Sequence, residues 1–412
     1  MVQKCNGGRL TLDAIRTTPF HSRTAPLVRG QGWRRWAGYV VPTSYDLIHE
    51  LEYNAIRGTA ALIDVTPLFK YRIRGPGAAP LLDRVVTRDV ARCKVGRVLY
   101  TPWCDAEGKV LDDGTVTRLE EQDFRMTSAH PNLRWLHQNA IGFDVEIEDE
   151  TEAIAALSLQ GPAAREILMG IAEGESEADV EKLRFFRATA ARLGGIAATV
   201  TRTGYTGDLG YEIWVANERA ESLWDLLIDA GAAHGLLPTG LLAMDVARIE
   251  AGLLLIDVDY VSARHALIEQ QKSSPFELGL GWTVAKEKAP FVGQRALEAE
   301  RRRSPEWAFR GLVVDWDSLE ALFGEVGLPP QLPSAAWRTS TPVYDAKGQV
   351  GYATSGCWSP LLKKYLALAH LIGTHAGPGT ELELEMTVEH RRKRARATVV
   401  ETPFFDPERK RA

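Results

Sequence analysis

Two short stretches of the sequence combine residue types that could bind and orient a ligand. The first, residues 202–214, reads RTGYTGDLGYEIW and places three glycines, two tyrosines and two acids between β-branched residues. This pattern predicts a strand, a glycine-rich loop and a second strand. Glycine lets the backbone approach a flat ligand, Tyr205 offers a ring and a hydroxyl, and Glu212 could accept paired hydrogen bonds from ring nitrogens. An ordinary hairpin, in which the glycines serve only the turn, is the alternative.

The second stretch contains two adjacent carboxylates, Asp112 and Asp113. Residues 98–103 and the run from Val110 predict two strands joined by a turn at 105–109, so both acids lie near the start of the return strand. Successive side chains of a strand point to opposite faces, so we expect one carboxylate in solvent and the other facing inward. An inward carboxylate beside a pocket could accept a proton or orient an amine. Turn chemistry at the start of a strand is the simpler alternative.

Aromatic residues are frequent among the first 45 positions. Trp33, Trp36 and Tyr39 stand among arginines and prolines, a composition too aromatic for a disordered tail. They are candidates for lining a pocket, although packing alone is the commoner role of such residues.

The composition argues against several classes of function. The chain has 412 residues, 45% of them hydrophobic and 25% charged, and a net charge of -5, which is typical of a soluble protein and argues against a general nucleic-acid binder. Its four cysteines lie far apart without a C-x-x-C pair, so we expect no metal site and a reducing, cytoplasmic location. No stretch reaches the ~18 apolar residues of a membrane span, and the N-terminus lacks the apolar core of a signal peptide.

The secondary-structure pattern of the sequence changes near residue 309. Residues 1–308 mix helical and strand patterns, whereas residues 309–412 contain short strand-like runs separated by glycine and proline, which is typical of a small β-barrel or sandwich. The arginines at 301–303 mark the expected linker. The basic run at 390–394 is interpreted as a solvated hairpin tip, with a docking site for an acidic partner as the alternative.

Residues 202–212 resemble the signature of the glycine-cleavage T-protein, the tetrahydrofolate-dependent aminomethyltransferase family, to which related tetrahydrofolate-dependent demethylases are similar. Other blocks agree in order and spacing over nearly the whole chain. They are 20–21 with 37–39, 62–65, 87–90, 108–113, 159–162, 248–253, 293–294, 354–356 and 403–405.

The resemblance implies an α+β fold in which two interleaved α+β lobes (residues 1–308) and a C-terminal β-barrel (residues 309–412) surround a central channel. It implies tetrahydrofolate as cofactor. Asp113 matches the carboxylate thought to contact the reacting nitrogen of folate and assist transfer, and Glu212 matches the acid that binds the pteridine edge. Tyr100 and Tyr205 match tyrosines near the folate, and Ser128 or His130 takes the place of an asparagine expected near the pteridine.

Two departures from the family pattern concern the remaining part of the expected site. Met244 replaces an arginine expected to bind the folate tail, so Arg248 or an arginine of the N-terminal segment is a candidate substitute. Thr66-Pro67-Leu68 replaces a serine-histidine-methionine sequence. The loss of a cation opposite a carboxylate removes about 1.5 to 3 kcal/mol of charge-assisted bonding, which weakens folate binding without abolishing it.

The resemblance therefore implies a transferase that moves a one-carbon unit to tetrahydrofolate. A small-molecule donor of a methyl or aminomethyl group is the leading hypothesis, because aromatic walls suit such molecules and extra aromatic residues stand in this chain. The candidate donor contacts are Trp33, Trp36, Tyr39 and Trp103. The alternatives are a glycine-cleavage T-protein that acts on the lipoyl carrier protein, and a non-catalytic folate-binding accessory protein for iron-sulfur assembly.

Overall fold

The computed structural model of the protein describes residues 15–412, so the predicted absence of a signal peptide lies mostly outside the described residues. Helices and strands alternate along the chain until a C-terminal region made mainly of strands. The strands are β1 (Arg16–Thr17), β2 (Trp33–Trp36), β3 (Tyr39–Pro42), β4 (Ala60–Asp64), β5 (Phe69–Arg74), β6 (Val98–Cys104), β7 (Val110–Glu120), β8 (Asp123–Ser128), β9 (Glu146–Asp149), β10 (Ile154–Gln160), β11 (Ala188–Leu193), β12 (Ile196–Thr201), β13 (Gly210–Ala216), β14 (Leu236–Pro238), β15 (Trp307–Val314), β16 (Thr341–Tyr344), β17 (Gln349–Ser359), β18 (Lys364–Ile372), β19 (Glu381–Val388) and β20 (Arg391–Val400).

The α-helices are short, and most of them cover one face of a sheet. They are α1 (His21–Thr24), α2 (Glu50–Gly58), α3 (Ala78–Val85), α4 (Leu133–Asn139), α5 (Ala164–Ile171), α6 (Glu175–Glu181), α7 (Ala220–Gly231), α8 (Leu241–Glu250), α9 (Gln294–Arg303) and α10 (Trp316–Gly324). Within residues 15–412, no helix combines the length and the apolar character needed to cross a membrane.

Two sheets built from interleaved segments form the first part of the fold. One has six strands in the order β11-β12-β13-β10-β4-β14, and the other has five in the order β6-β7-β8-β5-β9. Leucines and isoleucines of α5 and α7 pack with the first sheet, and those of α3 and α4 pack with the second. The amphipathic pattern of these helices is thus satisfied by burial on one side. A small third sheet, β1-β3-β2, holds the aromatic N-terminal segment.

The second part is a closed antiparallel barrel in the order β15-β18-β17-β16-β19-β20. Along β19, Leu382, Leu384 and Val388 are buried, and they alternate with more exposed glutamates. This period of two directs one face of each strand into the barrel core. The predicted α+β fold class with a C-terminal barrel is confirmed, while the division at residues 308 and 309 stays a prediction.

Two details of the C-terminal region differ from the sequence-based expectation. The arginines at 301–303 end helix α9 instead of forming a linker, because the helical pattern continues through them. In the basic run, Arg391 already belongs to β20, and the hairpin tip is the pair Glu389-His390, both with positive φ.

The glycines of the 202–214 stretch make room for the protein's own side chains. The predicted strand, loop and strand are present as β12, the loop and β13. A Cβ on Gly204 or Gly210 would lie 2.2 Å from the side-chain amide of Gln160, and a Cβ on Gly207, whose φ is +72°, would lie 2.3 Å from Cβ of Ala251. Close packing inside the protein therefore requires glycine at these positions.

We expect Gly210→Ala to lower the free energy of unfolding by about 1 to 3 kcal/mol, because the new methyl group overpacks a buried site next to Gln160. Gly58→Ala is the matched control. No atom lies within 4 Å of a Cβ placed on Gly58, so this helical substitution should be neutral or slightly stabilising. Urea denaturation of both variants measures the difference, and equal stabilities would contradict the packing argument.

Candidate active site

A cavity of about 750 Å³ lies where the two large sheets, helix α8 and the barrel meet. Its volume is in the range of sites that bind cofactors and drug-sized ligands. Asp113 of β7, Glu212 of β13, Met244 of α8 and Phe309 of β15 contribute to its wall. The cavity therefore combines residues from every major part of the fold.

Asp113 lies in this wall and is held by two tyrosine hydroxyls. Tyr100, which is on the neighbouring strand β6, donates a hydrogen bond to Oδ2 at 2.8 Å, and Tyr260 donates to Oδ1. Burial raises the pKa of Asp113, while the bonds from Tyr260 and Tyr100 act in the opposite direction by stabilising the carboxylate. Tyr260 is 147 positions away in the sequence, and sequence reasoning missed it.

Asp112 points to the other face of β7, as expected from strand geometry, but it is fully buried instead of solvated. It accepts hydrogen bonds from the backbone N–H groups of Asp113 and His130 at 2.8 and 2.9 Å, and from the amide of Asn132 at 2.9 Å. Burial and the neighbouring Asp113 raise its pKa to about 7. Asp112 is thus a positioning residue that fixes the backbone beside Asp113.

Glu212 lies on β13, which belongs to the sheet facing that of Asp113. Its Oε2 accepts a hydrogen bond from the Thr203 hydroxyl at 2.6 Å and a longer one from Thr201. Burial raises the pKa of Glu212, and these threonine bonds partly offset the rise. The second carboxylate oxygen makes no hydrogen bond within residues 15–412, so the group can accept further bonds from a ligand.

The three other predicted binding residues also lie in the cavity wall. Tyr205 donates its hydroxyl to the carbonyl of Leu254, and Ser128 donates to the carbonyl of His130 at 2.7 Å, so their polar groups are already engaged. Arg248 is fully buried between Asp245 and Asp259. Burial opposes its charge, but the two aspartates hold its pKa above the usual value. The structure brings these residues together with Asp113, Tyr100 and Glu212.

Comparison with known proteins identifies the family. Residues 19–288 match the GCVT N-terminal domain, and residues 326–406 match the glycine cleavage T-protein C-terminal barrel domain. An aminomethyltransferase from Geobacillus thermodenitrificans is 34% identical over 376 residues, which cover 90% of this chain and 93% of that protein. The chain belongs to the glycine cleavage T-protein family.

One further sequence and one crystal structure show how similar the chain is to known proteins. A trimethylamine-oxide aldolase from Ruegeria pomeroyi is 33% identical over 369 residues, which cover 87% of this chain but 43% of that longer protein. The crystal structure of the glycine cleavage system aminomethyltransferase T from Bartonella henselae superimposes with a TM-score of 0.79 at 25% identity, covering 95% of this chain and 99% of that one. The resemblance and the expected class of enzyme, a one-carbon transferase of the T-protein family, are confirmed.

The departures from the T-protein pattern meet on one wall of the cavity. Leu68 and Met244 both line it, and both pack with Trp36 against an apolar cluster that includes Trp214. The position expected to carry a tail-binding arginine is therefore part of a continuous apolar surface.

Arginines flank this apolar wall. Arg34 and Arg338 line the cavity, and Arg338 donates from Nε to Asp245 at 2.7 Å. Burial and the charge of Arg338 lower the pKa of Arg34, whose Nη1 has no hydrogen-bond partner within residues 15–412. Arg248 pairs with Asp245 and Asp259, and Arg338 pairs with Asp245, whereas Arg34 makes no ion pair within residues 15–412. The end of the cavity beside Met244 is therefore suited to an anionic group.

Three of the four predicted donor contacts lie away from the cavity lining. Trp103 is fully buried in the core under the five-stranded sheet and donates from Nε1 to Asn132 at 3.3 Å. Trp33 packs beside His21, and Tyr39 is buried in the small N-terminal sheet. Only Trp36 reaches the cavity wall, because Trp33 and Trp36 are three positions apart on one strand and so point to opposite faces. Trp282, which stacks near Tyr100 with ring centroids 6.3 Å apart, is an aromatic wall residue that sequence reasoning missed.

Proposed function

We propose that this enzyme transfers a methyl or aminomethyl group from a small-molecule donor to tetrahydrofolate. The observation that carries the proposal is the position of Asp113, a half-buried carboxylate in the cavity wall with both oxygens held by tyrosines. A single oriented carboxylate in a pocket is suited to proton transfer at a reacting atom. Family membership supplies the class of reaction, and the geometry around Asp113 supports the choice of this residue.

The residues of the cavity fit tetrahydrofolate. Glu212 retains acceptor capacity for the ring nitrogens of a pteridine, and the unmatched positive charge near Arg34 complements a carboxylate tail. Tetrahydrofolate supplies the nitrogen that accepts the one-carbon unit. In the transfer of a methyl group, the bond from the donor heteroatom to carbon breaks, and the proton from the accepting nitrogen ends on that heteroatom. On this proposal Asp113 carries this proton. Tyr100 and Tyr260 hold the Asp113 carboxylate in one orientation.

Trp36 and Leu68 form an apolar surface in the cavity wall, which favours a small-molecule donor over the lipoyl arm of a carrier protein. Met244 borders this surface at the end of the cavity where the folate tail is proposed to bind. The alternative within the family is a glycine-cleavage T-protein that acts on the lipoyl carrier protein. Such an enzyme would bind tetrahydrofolate through the same residues of the cavity. A non-catalytic folate-binding role is disfavoured because such a role does not need Asp113 and its two tyrosines.

A product assay distinguishes these functions. The enzyme is incubated with tetrahydrofolate and either the aminomethyl-loaded lipoyl carrier protein or a panel of small molecules methylated on oxygen, sulfur or nitrogen. We expect methyl- or methylene-tetrahydrofolate, detected by mass spectrometry, from a small molecule. Efficient turnover with the lipoyl carrier protein alone would establish the T-protein activity instead, and folate binding without turnover of any donor would support the accessory role.

We expect Asp113→Asn to slow transfer by at least about 100-fold, because general acid-base groups contribute rate factors of this order. Calorimetry should show that tetrahydrofolate still binds. Asp179→Asn, which changes an exposed carboxylate on α6, is the control and should retain full activity. An undiminished rate for Asp113→Asn would remove this residue from the mechanism.

We expect Tyr260→Phe to move the acidic limb of the pH profile of kcat/KM to higher pH. The lost hydrogen bond stabilises the Asp113 carboxylate, so its removal raises the pKa and a higher pH is needed to ionise the group. Loss of about 1.5 to 3 kcal/mol of charge-assisted bonding corresponds to about 1 to 2 pH units. Tyr205→Phe, whose hydroxyl bonds a carbonyl instead of Asp113, should leave the limb in place. A parallel shift in both variants would contradict the assignment.

We expect Arg34→Gln to weaken the binding of tetrahydrofolate by about tenfold or more, because a charge-assisted bond to the tail is lost. Binding of a tetrahydropterin without the glutamyl tail should be unchanged, and Arg396→Gln, at an exposed ion pair of the barrel, should affect neither ligand. Calorimetry with the two ligands gives the comparison. Equal losses for both ligands would show that Arg34 supports the fold of the pocket instead of the tail.

A further inference from the structure

A cluster of three potential metal ligands lies outside the cavity. His130, in the turn after β8, meets Asp257 and His265 of the long segment that follows α8, and one ligand atom from each residue lies within 4.8 Å of the others. The Nε2 atom of His130 is 2.7 Å from Oδ2 of Asp257, and the rings of the two histidines are 5.0 Å apart. The three residues are separated by up to 135 positions, so no sequence spacing revealed the cluster.

The surroundings of His130 differ from those of an ordinary histidine-aspartate pair. Its Nδ1 is buried and has no hydrogen-bond partner in the described part of the chain. In the pair of His375 and Asp345, by contrast, both ring nitrogens are engaged, one by the carboxylate at 3.2 Å and the other by Thr374 at 3.0 Å, and no third ligand is present among the described residues. His130 is therefore a partly buried imidazole whose buried Nδ1 is unpartnered, and it lies beside two further potential ligands.

The residue types indicate the kind of ion. Two imidazoles and one carboxylate are the ligands of many zinc and non-haem iron sites, whereas Mg²⁺ and Ca²⁺ prefer oxygen ligands alone. Zinc lies about 2.0 to 2.2 Å from such atoms, so ligand atoms around one ion are up to about 4 Å apart. Asp257 and His265 are exposed, so their side chains have room to rotate towards a common ion.

We propose that His130, Asp257 and His265 bind a divalent transition-metal ion, with Zn²⁺ as the best fit to the ligand set. The ion would join the turn after β8 to the segment 257–265. That segment contains Tyr260, which holds Asp113, and the backbone N–H of His130 bonds Asp112. Metal binding would therefore stabilise the positions of both residues without entering the cavity.

The test uses the full chain without an affinity tag, dialysed against a chelator. Titration with Zn²⁺ in a calorimeter should show one equivalent bound, and Co²⁺ should give the visible absorption bands of a site with nitrogen ligands. Zn²⁺ should also raise the melting temperature, because an ion that binds only the folded chain stabilises it. His265→Ala, at an exposed position that should not disturb folding, is expected to weaken binding by about 100-fold or more.

Two controls separate this site from other metal-binding groups. His375→Ala removes a histidine that also pairs with an aspartate, and Cys5→Ser removes a thiol of the N-terminal segment. Both variants should bind Zn²⁺ as the parent chain does and should show the same rise in melting temperature. Absence of saturable binding in the parent chain, or equal affinity in the His265→Ala variant, would overturn the proposal.

Discussion

A buried ion cluster fixes the positions on which the site depends. Arg248 of α8 lies between Asp245 and Asp259, and all three side chains are at most 2% exposed. Buried charges are costly unless they are paired and hydrogen-bonded, so the chain can fold around this cluster in few ways. Asp259 also accepts hydrogen bonds from the hydroxyls of Thr354 and Ser355 on β17, at 2.5 and 2.8 Å. The cluster thus joins α8, the segment after it and the barrel.

The geometry of Asp113 follows from this cluster although no member of the cluster touches it. Tyr260 is the residue after Asp259, so the bonds that hold Asp259 also place the tyrosine hydroxyl at Asp113. The carbonyl of Asp259 is held in addition by His370 of β18 at 2.6 Å. The barrel therefore contributes to the candidate active site by restraining a segment of the first part of the fold, which gives a physical reason for the two parts to remain together.

The sequence predicted the features that depend on local pattern. The β6-β7 hairpin with Asp113, the strands around the glycine-rich loop and the alternation in the barrel all arise from neighbours within about ten positions. Tyr260 and Trp282 were missed because their partners are more than a hundred positions away and their own segment has no regular periodicity. The packing of Gly210 was also missed, because the chain alone does not show that Gln160 occupies the space beside it.

Two parts of the cavity wall depend on different kinds of interaction. Asp113 and Glu212 lie on strands of the two large sheets, where tyrosine hydroxyls hold the first side chain and threonine hydroxyls hold the second. Trp36, Leu68 and Met244 meet through apolar contact, and apolar surfaces tolerate changes of shape and size more readily than oriented hydrogen bonds do. On the proposed function, the donor specificity of such a fold can therefore change while the residues that bind and serve the acceptor stay in place.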